Sequence, residues 1–215
     1  FIIMNKNGID IWDTFAEAFP MKCSRLIITA DSLSWAKKAA DAFTGFATSV
    51  IACGCEAGIE CIIPKNKSPD NRPGISVLIF SMSSKELAKQ VLNRAGQCIM
   101  TSPSSALFAG CFSEIKIKLG SSLRYFGDGF QISKKVGERR FWRIPVMDGE
   151  FVCEDFAYQM PAIGGGNFLI LGETRQSVLK ASEKAVKAIE NLKNVILPFP
   201  GGIVRSGSKV GSKYK

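Results

Sequence analysis

The chemically capable residues of this chain sit in short polar clusters between apolar runs. After Pro198 it reads PFPGGIVRSGSKVGSKYK, with four cations and no acid. Gly201 and Gly202 allow close backbone approach to a ligand, Ser206 and Ser208 offer hydroxyls, and Lys209 and Lys213 offer charge. That set suits an anion, although a solvated basic loop has the same composition. A Walker phosphate loop is excluded, because no G-x-x-x-x-G-K-[ST] occurs. Upstream, TSVIACGCEAGIE supplies Ser49 and Glu56, the latter a carboxylate among small residues that could accept from a ring N–H or cap local amides. Gln97 follows a helical stretch, Asp128 lies between two glycines in YFGDG, and Asn167 follows three glycines. Each of these has a ligand reading and a turn or bulge reading.

Histidine is absent, which removes Ser-His-Asp and Cys-His machinery and imidazole bases from this chain. Proton transfer must then use carboxylates, Tyr, Lys, Cys, water or the substrate itself. Seven cysteines, an odd number spread through apolar segments, read as buried thiols in a reducing compartment. The spacing of Cys53, Cys55 and Cys61, with no histidine or second pair, points to no metal site. The expected location is the cytoplasm.

These clusters need a scaffold, and 215 residues with 46% hydrophobic content can build one large domain or two small ones. The longest weakly charged apolar run, Met160 to Gly172, is broken by Pro161 and glycines, so no membrane span is expected. The opening Phe1–Met4 does not resemble a signal peptide, and Met4 reads as a start. A net charge of +9 suggests anionic partners.

Arg25–Ala30 reads as a strand and Ser32 as the start of a helix ending at Gly45. Thr48–Cys53 and Gly58–Ile63 read as a strand pair. Gly74–Phe80 reads as a further strand, Ser83 as the cap of a helix stopped by Gly96, and QCIMTSP as a returning strand. That order is a ferredoxin-like split βαβ unit. Strands then dominate: IKIKL, SLRYFGDG, and a hairpin folded at Asp148-Gly149. Asn167–Leu171, a helix capped by Thr174 with Val178, Ala185, Val186, Ile189 and Leu192 inward, and a strand at Asn194–Leu197 look like half of a second such unit. The final stretch is therefore expected to be a connection to further polypeptide.

Ordered strings sharpen this reading. DTFAEAF (13 to 19), TGFATSVIACGCEAGIE (44 to 60), SPDNRPG (68 to 74), RAGQCIMTSP (94 to 103), YFGDG (125 to 129), GGGNF (164 to 168) and PFPGGIVRSGSKVGSKY (198 to 214) resemble formylmethanofuran:tetrahydromethanopterin formyltransferase across essentially the whole chain. The resemblance implies an α+β fold of two ferredoxin-like lobes related by pseudo-symmetry. It divides this chain into an N-terminal (proximal) lobe over 4–146 and the start of a C-terminal (distal) lobe, incomplete here, over 147–215. It further implies a homo-oligomer, dimer or tetramer; the residues themselves point to no membrane partner, and without an aromatic-rich RNA-binding strand they disfavour a nucleic-acid one.

The implied reaction moves a formyl group between formylmethanofuran and N5 of tetrahydromethanopterin, both cosubstrates, with no tightly bound cofactor. Acyl transfer between amines passes through a tetrahedral oxyanion, so the site needs aimed donors, a proton relay and exclusion of water. The family's catalytic glutamate is implied to lie beyond Lys215, and no catalytic residue is assigned within this chain. Ser49, Glu56, Gln97, Asp128, Asn167, Gly201, Gly202, Ser206, Ser208, Lys209 and Lys213 are the candidate substrate-binding residues. Two other readings remain open: a non-catalytic subunit of a formyltransferase/hydrolase complex, and a basic RNA-binding α/β module.

Overall fold

The computed structural model describes residues 2–14 and 17–205. The chain opens with β1 (Ile2–Lys6) and β2 (Ile9–Asp13), an antiparallel pair forming its own small sheet. The long β3 (Ala18–Thr29) follows, then α1 (Leu33–Thr44), a short α2 (Val50–Cys53), β4 (Glu56–Ile63), β5 (Gly74–Ser81) and α3 (Ser84–Arg94). Next come β6 (Ala106–Ala109), β7 (Lys116–Lys118), α4 (Gly120–Leu123), β8 (Ile132–Val136) and β9 (Arg139–Val146). The last elements are β10 (Gly149–Glu154), β11 (Phe156–Tyr158), β12 (Met160–Gly165) and α5 (Arg175–Ile189).

The main sheet runs β4-β5-β3-β6-β10-β9-β8, with β12 on the early half of β3. Its first four strands are all antiparallel neighbours, β3 lying between β5 and β6. β10 then joins β6 in parallel and carries the β9–β10 hairpin. Alternation along the strands separates two faces. Leu26 and Ile28 of β3 and Ile75, Val77 and Ile79 of β5 enter one core with Ala36, Ala40 and Phe43 of α1 and Leu87 and Val91 of α3. Arg25 and Ser76 point the opposite way.

Both core helices begin where the capping chemistry places them. Ser32 accepts from the Trp35 amide and Ser83 from the Glu86 amide, at 3.3 and 3.2 Å. Ser83→Ala should cost about 1 kcal/mol, seen as a melting temperature lower by about 2–4 °C.

Several local expectations are corrected. Thr48–Cys53 is not a strand: Ser49 caps a helical turn closed by Gly54 at φ 73°, a left-handed conformation natural to glycine. Among the described residues β4 pairs with β5 alone. Gly96 does not stop the second helix; the chain winds through it in a π-helical turn, Ala95–Ile99. The returning strand is accordingly not QCIMTSP but ALFA of β6. SLRYFGDG is α4 and a 3₁₀ turn (Arg124–Gly127), not a strand. Asn167–Leu171 and Asn194–Leu197 are irregular segments, with no strand alongside among the described residues to take up their backbone hydrogen bonds. The apolar stripe of α5 is only half-covered, and Leu192 is exposed.

Candidate functional site

A cavity of about 780 Å³ follows the open edge of β4. Its walls are Ala57 to Ile62, the outer edge of α1 at Lys37 and Asp41, the end of α5, and the segment from Val195 to Gly202. That segment lies against β4 because Gly58 has no side chain: a Cβ there would stand 2.9 Å from Cβ of Ile196. Gly201 (φ 62°) and Gly202 (φ 73°) turn the chain at the cavity wall, and a Cβ on Gly202 would press on Leu197 and Val186.

Behind this wall lies an ion pair that sequence reading missed. A β-bulge between Ile59 and Cys61 leaves Glu60 without a partner on β5 and redirects its side chain. Both carboxylate oxygens then accept from Arg25, at 2.8 Å each. The Ser76 hydroxyl donates at 2.8 Å and the Asn194 amide at 3.0 Å, and Arg25 also donates to Asn194 Oδ1 at 2.5 Å. Burial disfavours the charged form of Glu60, but these donors outweigh it and hold the carboxyl below its ordinary range. The one available signal was a charge at 25 and at 60 inside otherwise apolar strings.

A second ion pair joins the strands further along. Glu154, 2% exposed, accepts two hydrogen bonds from Arg139 and one from the Ala109 amide at 2.9 Å. The Arg139 guanidinium lies over the rings of Phe112 and Phe141. Burial, and then the negative charge of Glu154, push the nearby Tyr158 hydroxyl up. Glu60 and Glu154 are both engaged by arginine, so neither is placed to take a proton from a ligand.

The candidate residues from the sequence are dispersed. Ser49 accepts from the Ile51 amide at 3.3 Å, and Glu56 accepts from the Val50 amide at 3.4 Å, local capping bonds on one loop. Gln97 is exposed on the π-helical turn and lines a smaller recess of about 300 Å³ with Trp35, Lys38 and Thr101. Asp128, exposed at φ 48°, ends the 3₁₀ turn. Asn167 is exposed beyond β12. Ser206, Ser208, Lys209 and Lys213 lie outside the described residues. The large cavity therefore brings together Gly201 and Gly202, and the α2 turn brings Ser49 near Glu56 at the start of β4. The others stand apart.

The Cys53 thiol lies 3.8 Å from the Thr48 hydroxyl, and Cys55 donates to Gln90 at 3.5 Å. Both are free and buried, and burial pushes Cys55 up. Among the described residues no group of three or more acidic, cysteine or histidine side chains converges as a metal site would.

This architecture and its ordered strings have close counterparts. The family model for formylmethanofuran-tetrahydromethanopterin formyltransferase matches residues 4–146, and the model for that family's proximal lobe matches 149–215. The word proximal thus falls on the stretch the sequence reading named distal. The chain belongs to the formylmethanofuran-tetrahydromethanopterin formyltransferase family. It is 62% identical over 209 residues to the formyltransferase of that name from Methylococcus capsulatus, covering 97% of this chain and 70% of the relative. It is 51% identical over 215 residues to one component of the formyltransferase/hydrolase complex from Methylorubrum extorquens, covering 97% and 69%. The formyltransferase/hydrolase complex from that organism, solved with methylofuran, superposes with TM-score 0.93 at 51% identity, over 100% of this chain and 71% of that one. The formyltransferase from Methanosarcina barkeri gives TM-score 0.90 at 44% identity, over 98% and 71%. Among the described residues no helix is long and apolar enough to cross a membrane.

Proposed function

We propose that this chain forms part of a cytoplasmic formyltransferase of one-carbon metabolism, moving a formyl group between formylmethanofuran and N5 of tetrahydromethanopterin. The observation that carries this reading is 62% identity, over 97% of the chain, to a formyltransferase of that name. The first lobe is read as ferredoxin-like, supported by the antiparallel order β4-β5-β3-β6. The second begins near residue 147, and the functional assembly is a dimer or tetramer of this chain. The RNA-binding reading is not favoured, since the chain belongs to a transferase family. The complex-subunit reading draws on the Methylorubrum extorquens relative and on the solved complex from that organism.

Transfer requires a tetrahedral intermediate shielded from water, oxyanion donors and a proton carrier. The cavity beside β4, walled in part by Ile59, Ile196, Leu197 and Phe199, offers apolar surface beside the Gly201-Gly202 backbone. Glu60 and Glu154 are engaged by arginine, and the catalytic carboxylate is read, from the family resemblance alone, as lying beyond Lys215. Ser206, Ser208, Lys209 and Lys213 are assigned to the acidic tails of the cosubstrates. The test is formyl transfer by the full-length protein given both cosubstrates, followed as the 5-formyl product; no product from the pair would overturn the proposal. Lys209→Ala should raise KM for one cosubstrate with kcat nearly unchanged, and unchanged KM for both would remove the lysine from the site.

A further inference from the structure

The segment from Asn194 to Gly202 is built as a strap. The chain enters it at Asn194 (φ 66°) and leaves it at Gly201 (φ 62°) and Gly202 (φ 73°), left-handed positions that asparagine and glycine tolerate best. Between those turns Pro198 and Pro200 fix their own φ and stiffen the chain. The strap lies along the open edge of β4, yet among the described residues no backbone hydrogen bond joins the two. It can therefore lift without breaking a ladder.

Two contacts fasten it at β4. At its start the Asn194 amide donates to Glu60 at 3.0 Å and Asn194 Oδ1 accepts from Arg25 at 2.5 Å, so both bonds end on the charged pair that joins β3 to β4. Hydrogen bonds to ionised groups are roughly twice as strong as neutral ones. Two residues on, Ile196 sits against Gly58, where a Cβ would stand 2.9 Å away. Arg25, Gly58 and Glu60 belong to the stretch matched by one family model, Asn194 and Ile196 to the stretch matched by the other. The cavity lies where these stretches meet, with Val195 to Gly202 among its walls on one side and Ala57 to Ile62 on the other.

We infer that Asn194 is a positioning residue, latching the strap over the β4 cavity so that bulk water is kept from the formyl group during transfer. This rests on the proposed function, with the cavity as the place of transfer. With the strap lifted, water would replace the pterin amine as nucleophile. Its oxygen bonds to the formyl carbon, the C–N bond breaks, one water proton passes to the departing nitrogen, and formate and methanofuran leave. The latch thus sets the ratio of hydrolysis to transfer.

The test gives the full-length protein formylmethanofuran and tetrahydromethanopterin and counts formate against 5-formyl product, with tryptic cleavage after Lys193 followed alongside. Asn194→Gly keeps the left-handed backbone and the amide bond to Glu60 and removes the acceptor for Arg25. It should raise the formate-to-product ratio about tenfold, the factor that loss of one charge-assisted hydrogen bond allows, and quicken cleavage after Lys193 by a similar factor. Gly58→Ala leaves the latch and the cleavage site intact and wedges the strap at Ile196, and should move both readouts in the same direction. The melting temperature of Asn194→Gly should fall by no more than about 2–4 °C, which separates the effect from general loss of structure. An unchanged formate ratio in both variants would overturn the inference, and so would cleavage after Lys193 that stays at the parent rate. A parent protein that forms no 5-formyl product would count against the proposed function instead, and the cleavage rates would then decide the latch on their own.

Discussion

Arg139→Ala should destabilise the protein by about 3–5 kcal/mol, the scale for breaking a buried ion pair by removing one partner. The expected drop in melting temperature is on the order of 10 °C for a chain of this size. The cost arises from what remains: Glu154, 2% exposed, would keep, among the described residues, only the Ala109 amide as donor. Its charge would then sit in a medium that solvates it poorly. The loss of Arg139 over Phe112 and Phe141 adds to this. The double variant Arg139→Met with Glu154→Gln should recover most of the loss, because the amide oxygen still accepts from Ala109 while no unpaired charge is buried. Thermal melts of the single and double variants check this, and an equal loss in both would show that packing, not charge, dominates.

Arg25→Met should cost about 3 kcal/mol near pH 7, at the lower end of that scale because Arg25 keeps some exposure. Methionine retains the stem, which packs where a Cβ on Gly110 would fall, so the substitution isolates the charge. The pH dependence has a definite sign. Glu60 is held below its unfolded value, so its contribution is fully present above that value and is lost as pH falls through the folded one. Without Arg25, burial prevails and the carboxyl protonates more readily. The stability gap between parent and variant should therefore be widest near neutrality and shrink below about pH 4. Urea midpoints across that range measure it, and a constant gap would dissociate the loss from Glu60 ionisation.

Much of the scaffold is legible in local sequence because its signals are local. Ser32 and Ser83 accept from amides three residues ahead, the apolar spacing of α1 and α3 matches their buried faces, and a β9–β10 hairpin forms where expected, its bend at Met147-Asp148 rather than Asp148-Gly149 because Gly149 already pairs with Val146. What escaped depends on distant partners. An apolar VIAC resembles a strand until Ser49 caps it, and Gly96 resembles a stop until a π-turn carries the chain through. Glu60 shows its role only once a bulge turns it toward an arginine 35 residues away. The dispersed candidates follow the same logic: Asp128 had turn chemistry and sits in a turn, and Asn167 lies in an irregular segment after β12.

The parallel seam between β6 and β10 has a bearing on how this gene can be cut. The two stretches that match separate family models meet at the hairpin bend after Val146, yet both contribute strands to one continuous sheet. Expressing either piece alone would bare backbone donors and acceptors, on β6 and β9 in the first piece or on β10 in the second, an invitation to aggregate. A split at that bend suits co-expression and reassembly, with the second piece serving as the missing neighbour of the first.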